Sequence, residues 1–153
     1  MSIKKAFTFI ETITVMGIIA ILFSLSAPQL FRLRDRNTLQ TSSTKLISLI
    51  RQQQINAMNS PKLYGVYFEQ SKYTLFTGST YSSIDPTNTI NTLDYPLQFT
   101  SIQFPFSQII FSTGSGEIVS FDSNNHSFIL EDVLNHDQTT VQFNALGVPV
   151  KIQ

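Results

Sequence analysis

From Thr12 to Phe31 the chain runs 20 residues without a charged side chain. Most of them are apolar, among them Ile13, Val15, Met16, Ile18, Ile19, Ile21, Leu22, Phe23 and Leu25. A helix of ~20 such residues spans ~30 Å, the thickness of a bilayer's hydrocarbon core. The run therefore predicts a transmembrane helix. Lys4 and Lys5 precede it and Arg32, Arg34 and Arg36 follow it. Two basic flanks compete, so charge alone does not set the orientation. A cleaved secretory signal is the rival reading. Ser24-Leu25-Ser26-Ala27 offers the small residues that such a cut needs, but Pro28 would lie directly behind it.

Helical periodicity continues past Phe31. Leu39, Leu46, Ile47, Ile50, Ala57 and Met58 recur at spacings near three and four and predict one apolar stripe. Gln, Ser and Thr fill the other face, which suits a helix packed on one side and wet on the other. Asn59-Ser60-Pro61 ends it, because a residue before proline avoids the helical region. The whole helix would measure ~75 Å. Pro28 has no amide hydrogen for the carbonyl of Ser24, so a kink is expected there.

Beyond Pro61 the pattern changes to strands. Leu63–Glu69 and Lys72–Thr77, separated by Gln70-Ser71, read as a hairpin. Residues 78–96 are rich in Ser, Thr and Asn and hold two prolines, which predicts a long surface loop. Further strands are expected at Leu97–Phe104, Gln108–Ser112, Glu117–Phe121, Ser127–Glu131, Thr139–Asn144 and Val148–Ile152. The expected class is α+β: a long N-terminal helix, transmembrane and then amphipathic, packed on an antiparallel β domain. Its parts would be residues 7–31, 32–60 and 61–153.

Charge divides along the same line. Residues 1–61 carry seven Lys/Arg and two Asp/Glu, whereas residues 62–153 carry three and eight. A basic stem is joined to an acidic body. The chain has no Cys, so it has no disulfide, thiol nucleophile or thiolate metal site. Its two His leave little material for zinc or proton shuttling.

Glu11 is the sole charge between Lys5 and Arg32, almost at the start of the apolar run. An ionised group inside a span costs about 2.5–3.5 kcal/mol on insertion scales, which makes such an acid a functional candidate. Its neighbourhood, Lys4-Lys5-Ala6-Phe7-Thr8-Phe9-Ile10-Glu11, resembles the processing motif of type IV prepilins: a basic leader, a small residue, a Phe, a Glu four residues on, and then an apolar helix. Pro28 matches the family's kink-forming proline. Ala6 departs from the Gly usual before the Phe, and Phe9 stands where an aliphatic residue is commoner.

The resemblance implies a pilin-like fold and the following roles. A prepilin peptidase would cut between Ala6 and Phe7 and remove residues 1–6, and the new α-amine of Phe7 would be methylated. Glu11 would pair with the Phe7 amine of a neighbouring subunit during assembly. Partners would be the peptidase/methyltransferase, other pilin or pseudopilin subunits, an inner-membrane assembly platform and lipid. The chain would sit in the inner membrane with its β domain outside the cytoplasm. The elements Ile109-Ile110-Phe111-Ser112-Thr113-Gly114 and Val141-Gln142-Phe143-Asn144-Ala145-Leu146-Gly147 are similar to those of the GspH/FimT group of minor pilins and pseudopilins. Gln54 stands three before Ala57, where many members have a basic residue.

Other chemistries fare worse on the residues. DNA binding needs clustered Lys/Arg, and the body has only Lys62, Lys72 and Lys151. Arg32, Arg34 and Arg36 suit lipid headgroups or neighbouring stems better. Asp122-Ser123-Asn124-Asn125 could offer oxygens to calcium but lacks EF-hand spacing and reads as a polar turn. His126 and His136 with Asp122, Asp132 and Asp137 could be drawn as a hydrolytic site, but no nucleophile elbow accompanies them. Gly114-Ser115-Gly116 is a turn and not a phosphate loop. The expectation is a structural subunit, not an enzyme, with no cofactor or metal, in a type IV pilus or type II secretion pseudopilus. A monomeric membrane-anchored binding module and a DNA-uptake minor pilin are the alternatives.

Overall fold

A computed structural model describes residues 8–152, with the side chains of 25–37 and 151–152 outside the description. The chain divides into two compact units, residues 1–36 and 37–153. One helix, α1 (Phe9–Met58), contributes to both. It is helical across position 28, whose proline ring lies outside the described side chains. The leader and the Ala6–Phe7 junction likewise lie outside the described residues.

In the second unit α1 buries Leu39, Ser43, Leu46, Ile50, Gln53 and Ala57. Their spacing alternates four and three, so they form one seam along the helix. Two members of that seam are polar, which hid them from a count of apolar residues. Met58, expected on the stripe, is 47% exposed. It follows Ala57 by one position, and one residue turns a helix by ~100°. The helix ends close to the predicted Asn59-Ser60-Pro61 stop, with the Asn59 amide donating to the Ile55 carbonyl at 3.1 Å.

Eight strands follow: β1 (Tyr64–Glu69), β2 (Lys72–Thr77), β3 (Thr89–Thr92), β4 (Leu97–Gln103), β5 (Gln108–Phe111), β6 (Ser127–Asp132), β7 (Asp137–Phe143) and β8 (Pro149–Ile152). They form two antiparallel four-stranded sheets, in the orders β3-β2-β1-β5 and β4-β6-β7-β8. The Gln70-Ser71 hairpin is as read from sequence, with Glu69 opposite Lys72. Its turn also joins the sheets, because the amide of Phe99 in β4 donates to the Gln70 carbonyl at 2.8 Å, while the Leu93 amide just past β3 donates to the Ser71 carbonyl at 2.8 Å within the first sheet.

Register assigns the faces. Val66 pairs with Leu75 and Ile109, and Phe68 with Tyr73, so these point together. They join Phe99, Phe128, Leu130, Val141 and Phe143 of the second sheet and the seam of α1 in one core. Aromatic rings fill its centre: Phe128 lies 5.5 Å from both Phe68, tilted to it, and Phe99, edge-on to it, centroid to centroid. Such pairs add about 0.5–1.5 kcal/mol beyond burial.

Two strand expectations are corrected. The stretch 78–96 contains β3 and is not loop throughout. Thr-Ile-Asn-Thr shows no buried alternation because β3 is an edge strand held by backbone pairing to β2. Residues 117–121 form no strand. Only Ile118 bridges, to Phe111, and Ser120 at φ 56° breaks the extended run.

Asp132 is a charged residue buried at the β6–β7 turn. Its Oδ1 accepts from the Leu134 amide at 2.9 Å and the Asn135 amide at 3.3 Å, and its Oδ2 from Asn135 Nδ2 at 3.0 Å. Burial opposes ionisation, but these hydrogen bonds outweigh it and, with nearby His136, hold the carboxyl below its ordinary range. The stabilisation is complete above the unfolded value of ~3.9 and fades as pH falls through the lower folded value. Asp132→Ala is expected to cost about 1–3 kcal/mol at pH 7. The gap to wild type in urea midpoint should narrow on acidification below pH ~4.

Candidate assembly stem and helix-end clasp

In the first unit the chain enters α1 through a reciprocal cap. Thr8 precedes the first helical residue and Glu11 is the third. Glu11 Oε2 accepts from the Thr8 amide at 3.0 Å and from its hydroxyl at 2.9 Å. The Glu11 amide in turn donates to Thr8 Oγ1 at 3.4 Å. This is a capping box, the use of Thr-x-x-Glu that leaves fewer helix-end amides unpaired. The Thr-x-x-Glu spacing is present in the sequence, at the edge of the apolar run.

Past the cap, the large apolar residues of the stem as far as Phe23 are exposed, from Phe9 at 82% to Ile19 at 47%. An apolar surface of this extent marks a contact with lipid or protein. Among the described residues no helix is long and apolar enough to cross a membrane. The side chains of the stem are described only to residue 24, so Arg32, Arg34 and Arg36 lie outside them.

The second unit is closed at the other end of α1. Gln54 Nε2 donates to the Gly116 carbonyl at 2.8 Å and also to the Leu146 carbonyl. One side-chain amide thus ties two loops to the helix. Both loops need glycine for shape as well as space. Gly147 has φ +73°, and a Cβ there would lie 2.7 Å from Phe111 Cε1 and 2.8 Å from Gln54 Nε2. Gly116 has φ +69°, and a Cβ there would lie 2.7 Å from Met58 Cγ. The Gly114 amide donates to the Ala57 carbonyl at 3.2 Å, one of the orphan carbonyls of the helix end. The two Phe…Gly elements noted in the sequence therefore converge on one clasp, and Gln54 is its centre. A glutamine satisfies two carbonyls with a neutral donor, which is why no basic residue is needed here.

The other candidate residues stay apart. His136 Nδ1 lies 3.2 Å from Glu131 Oε1 at the β6–β7 turn, beside the buried Asp132. His126 packs on the Phe121 ring at 5.5 Å. Asp122 accepts from the Asn124 amide at 2.9 Å and from Asn125 Nδ2 at 2.6 Å, closing its own turn. Among the described residues no three His, Asp or Glu side chains group as metal ligands would.

No protein-family model and no curated protein matches the sequence. A solved structure does match. It is the minor pseudopilin EpsH from the type 2 secretion system of Vibrio cholerae, with a TM-score of 0.54 at 17% identity. The match covers 75% of this chain and 95% of that one. The fold is similar to that of this minor pseudopilin. The pseudopilin likeness accords with the α+β, pilin-like architecture expected from the sequence, with α1 packed on antiparallel sheets.

Proposed function

We infer that the chain is a structural subunit of the pilin class, a minor pilin or pseudopilin, and not an enzyme. The observation that carries this is the pairing of a minor-pseudopilin fold with a separate helical stem whose apolar side chains lie exposed. A stem of this kind has two uses in sequence: storage of the subunit in a membrane and packing against other stems in a filament. The prepilin-like motif supports processing between Ala6 and Phe7, methylation of Phe7, and Glu11 as the counter-ion of a neighbour's terminal amine. A carboxylate in an apolar setting gains most from a cation that docks in one register. The uncharged run to Phe31 supports anchorage in a membrane, and the prepilin resemblance supports the inner membrane with the acidic body outside the cytoplasm. Pro28 is the place where the helix would bend to follow its neighbours. The partners on this reading are the prepilin peptidase/methyltransferase, other pilin or pseudopilin subunits, the assembly platform and lipid.

The absence of Cys makes a direct test clean. Ile13→Cys and Ile18→Cys place single thiols at exposed stem positions. When the chain is expressed with a secretion or pilus machine whose main subunit carries a stem cysteine, oxidation should yield mixed dimers only while assembly is active. A chain that serves as a monomeric anchor would yield none.

A further inference from the structure

The outer face of the first sheet holds a feature that the stem and the clasp do not use. Gly65 lies opposite Phe76 on this face, and a Cβ at Gly65 would meet the Phe76 ring at 2.5 Å. The missing side chain lets Phe76 lie across the strands. Tyr81 folds back from the following loop, packs edge-on against Phe76 at 5.8 Å and stacks on Tyr67 at 4.0 Å with an interplanar angle of 8°. Its amide is fixed by Gln108 Oε1 at 3.1 Å. Beside this stack opens a cleft of about 520 Å³, whose walls include Tyr67, Tyr81, Phe104, Phe106, Phe121 and Asp122.

Two properties of the cleft point to a ligand. The first is conformational. Phe106 has φ 55° and is 87% exposed, and its neighbour Ser107 and the cleft residue Ser120 are also left-handed, at φ 55° and 56°. Holding a bulky residue in that region costs about 1–3 kcal/mol, and holding its ring in water forgoes burial as well. Neither cost serves the core. The second is electrostatic. Asp122 is the only ionisable acid or base of the wall apart from the two tyrosines. Hydrogen bonds from the Asn124 amide and the Asn125 side chain hold its carboxyl below the ordinary range, so it is a fixed anion at neutral pH.

We propose that this cleft receives an arginine or lysine side chain presented by a partner polypeptide. Ring faces attract a cation through their quadrupole, a fixed carboxylate completes its hydrogen bonding, and the apolar wall takes the methylene stem. An acidic ligand would meet Asp122 with no Lys or Arg in the wall to offset it. The body around the cleft agrees in sign, since residues 62–153 carry eight acids against three bases. This inference concerns the globular unit alone and stands whether or not the stem polymerises.

The test is a titration of the full chain in detergent micelles, followed by amide NMR, with the blocked tripeptides Gly-Arg-Gly, Gly-norleucine-Gly and Gly-Glu-Gly. The arginine peptide should give saturable shifts around Tyr81, Phe106 and Asp122. The norleucine peptide should bind at least ~10-fold more weakly, and the glutamate peptide should give no saturable shifts. Asp122→Asn should weaken arginine binding ~10-fold, the factor that follows from ~1.4 kcal/mol for one charge-assisted contact. Phe106→Gly should raise the melting temperature or leave it unchanged while also weakening binding, because glycine accepts the left-handed backbone. Equal shifts with norleucine or glutamate, no saturation with arginine, or undiminished binding by Asp122→Asn would each overturn the assignment.

Discussion

Gly147→Ala should lower the stability of the globular unit by about 3 kcal/mol, while Gly114→Ala should lower it by only about 1 kcal/mol. The two glycines have nearly the same backbone, φ +73° and +76°. Both substitutions therefore incur a similar conformational penalty. Their surroundings differ. A methyl at Gly114 meets nothing within 4 Å, whereas one at Gly147 is driven into Phe111 and the Gln54 amide at under 3 Å. Phe111 is fully buried in the core and cannot swing aside. Gln54 can move only by giving up the Leu146 and Gly116 carbonyls. The excess at Gly147 thus measures the clasp. Urea melts of both variants beside wild type read it directly. A domain with 5–15 kcal/mol in hand would remain folded but shift its midpoint plainly. Equal losses at the two positions would show that the loops are not clamped to the helix end.

Glu11→Ala should abolish incorporation into a filament, and Glu11→Gln should reduce it at least ~10-fold, the effect of losing ~1.4 kcal/mol. The two substitutions separate the two uses of this side chain. In the single chain Glu11 closes a capping box with Thr8, worth about 0.5–2 kcal/mol to the start of the helix. Glutamine fills the same role at this position of the box, so Glu11→Gln keeps the cap and removes the charge. Alanine removes the charge and the side-chain half of the box, leaving only the amide of residue 11 on Thr8 Oγ1. Helix content of the purified chains, by circular dichroism, should fall slightly for alanine and stay constant for glutamine. Incorporation in the sheared filament fraction should fall for both. If glutamine incorporated as well as glutamate, the acid's role would be capping alone and the pairing with a neighbour's amine would be wrong.

Much of the fold could be read from local pattern. Strands β1 and β2 alternate Tyr, Val, Phe and Leu across a two-residue turn, and the amphipathic half of α1 repeats its apolar residues near every third or fourth position. Both signals arise within a few residues and survive in any context. What escaped depended on distant partners. β3 carries no burial signal because an edge strand needs only the backbone of β2. The stretch around Ile118 looked extended by composition, but a left-handed Ser120 ends it after one bridge. Ser43 and Gln53 belong to the seam of α1 though polar, since position on the helix decides which side faces the core.

The site was legible in the same uneven way. The chemistry of Glu11 stood out because a lone charge beside an apolar run is costly. Its hydrogen bonds with Thr8 follow from the same four residues, yet they take on meaning only once the helix start is located at Phe9. Gln54 gave almost no signal. Its partners are the carbonyls of Gly116 and Leu146, 62 and 92 residues away, and backbone carbonyls have no signature in a sequence. The glycines offered the better clue, because two Phe…Gly turns in one chain suggest that something approaches both closely.

The proposed assembly of this chain through its stem requires that its first six residues be removed and Phe7 become the terminus. Intact-mass and N-terminal peptide spectrometry of the protein recovered from cells with and without an active prepilin peptidase would read this directly. The predicted result is a chain that begins at Phe7 and carries one added methyl group when the enzyme is present, and one that retains residues 1–6 when it is absent. The same uncleaved terminus in both cells would contradict the proposed assembly role.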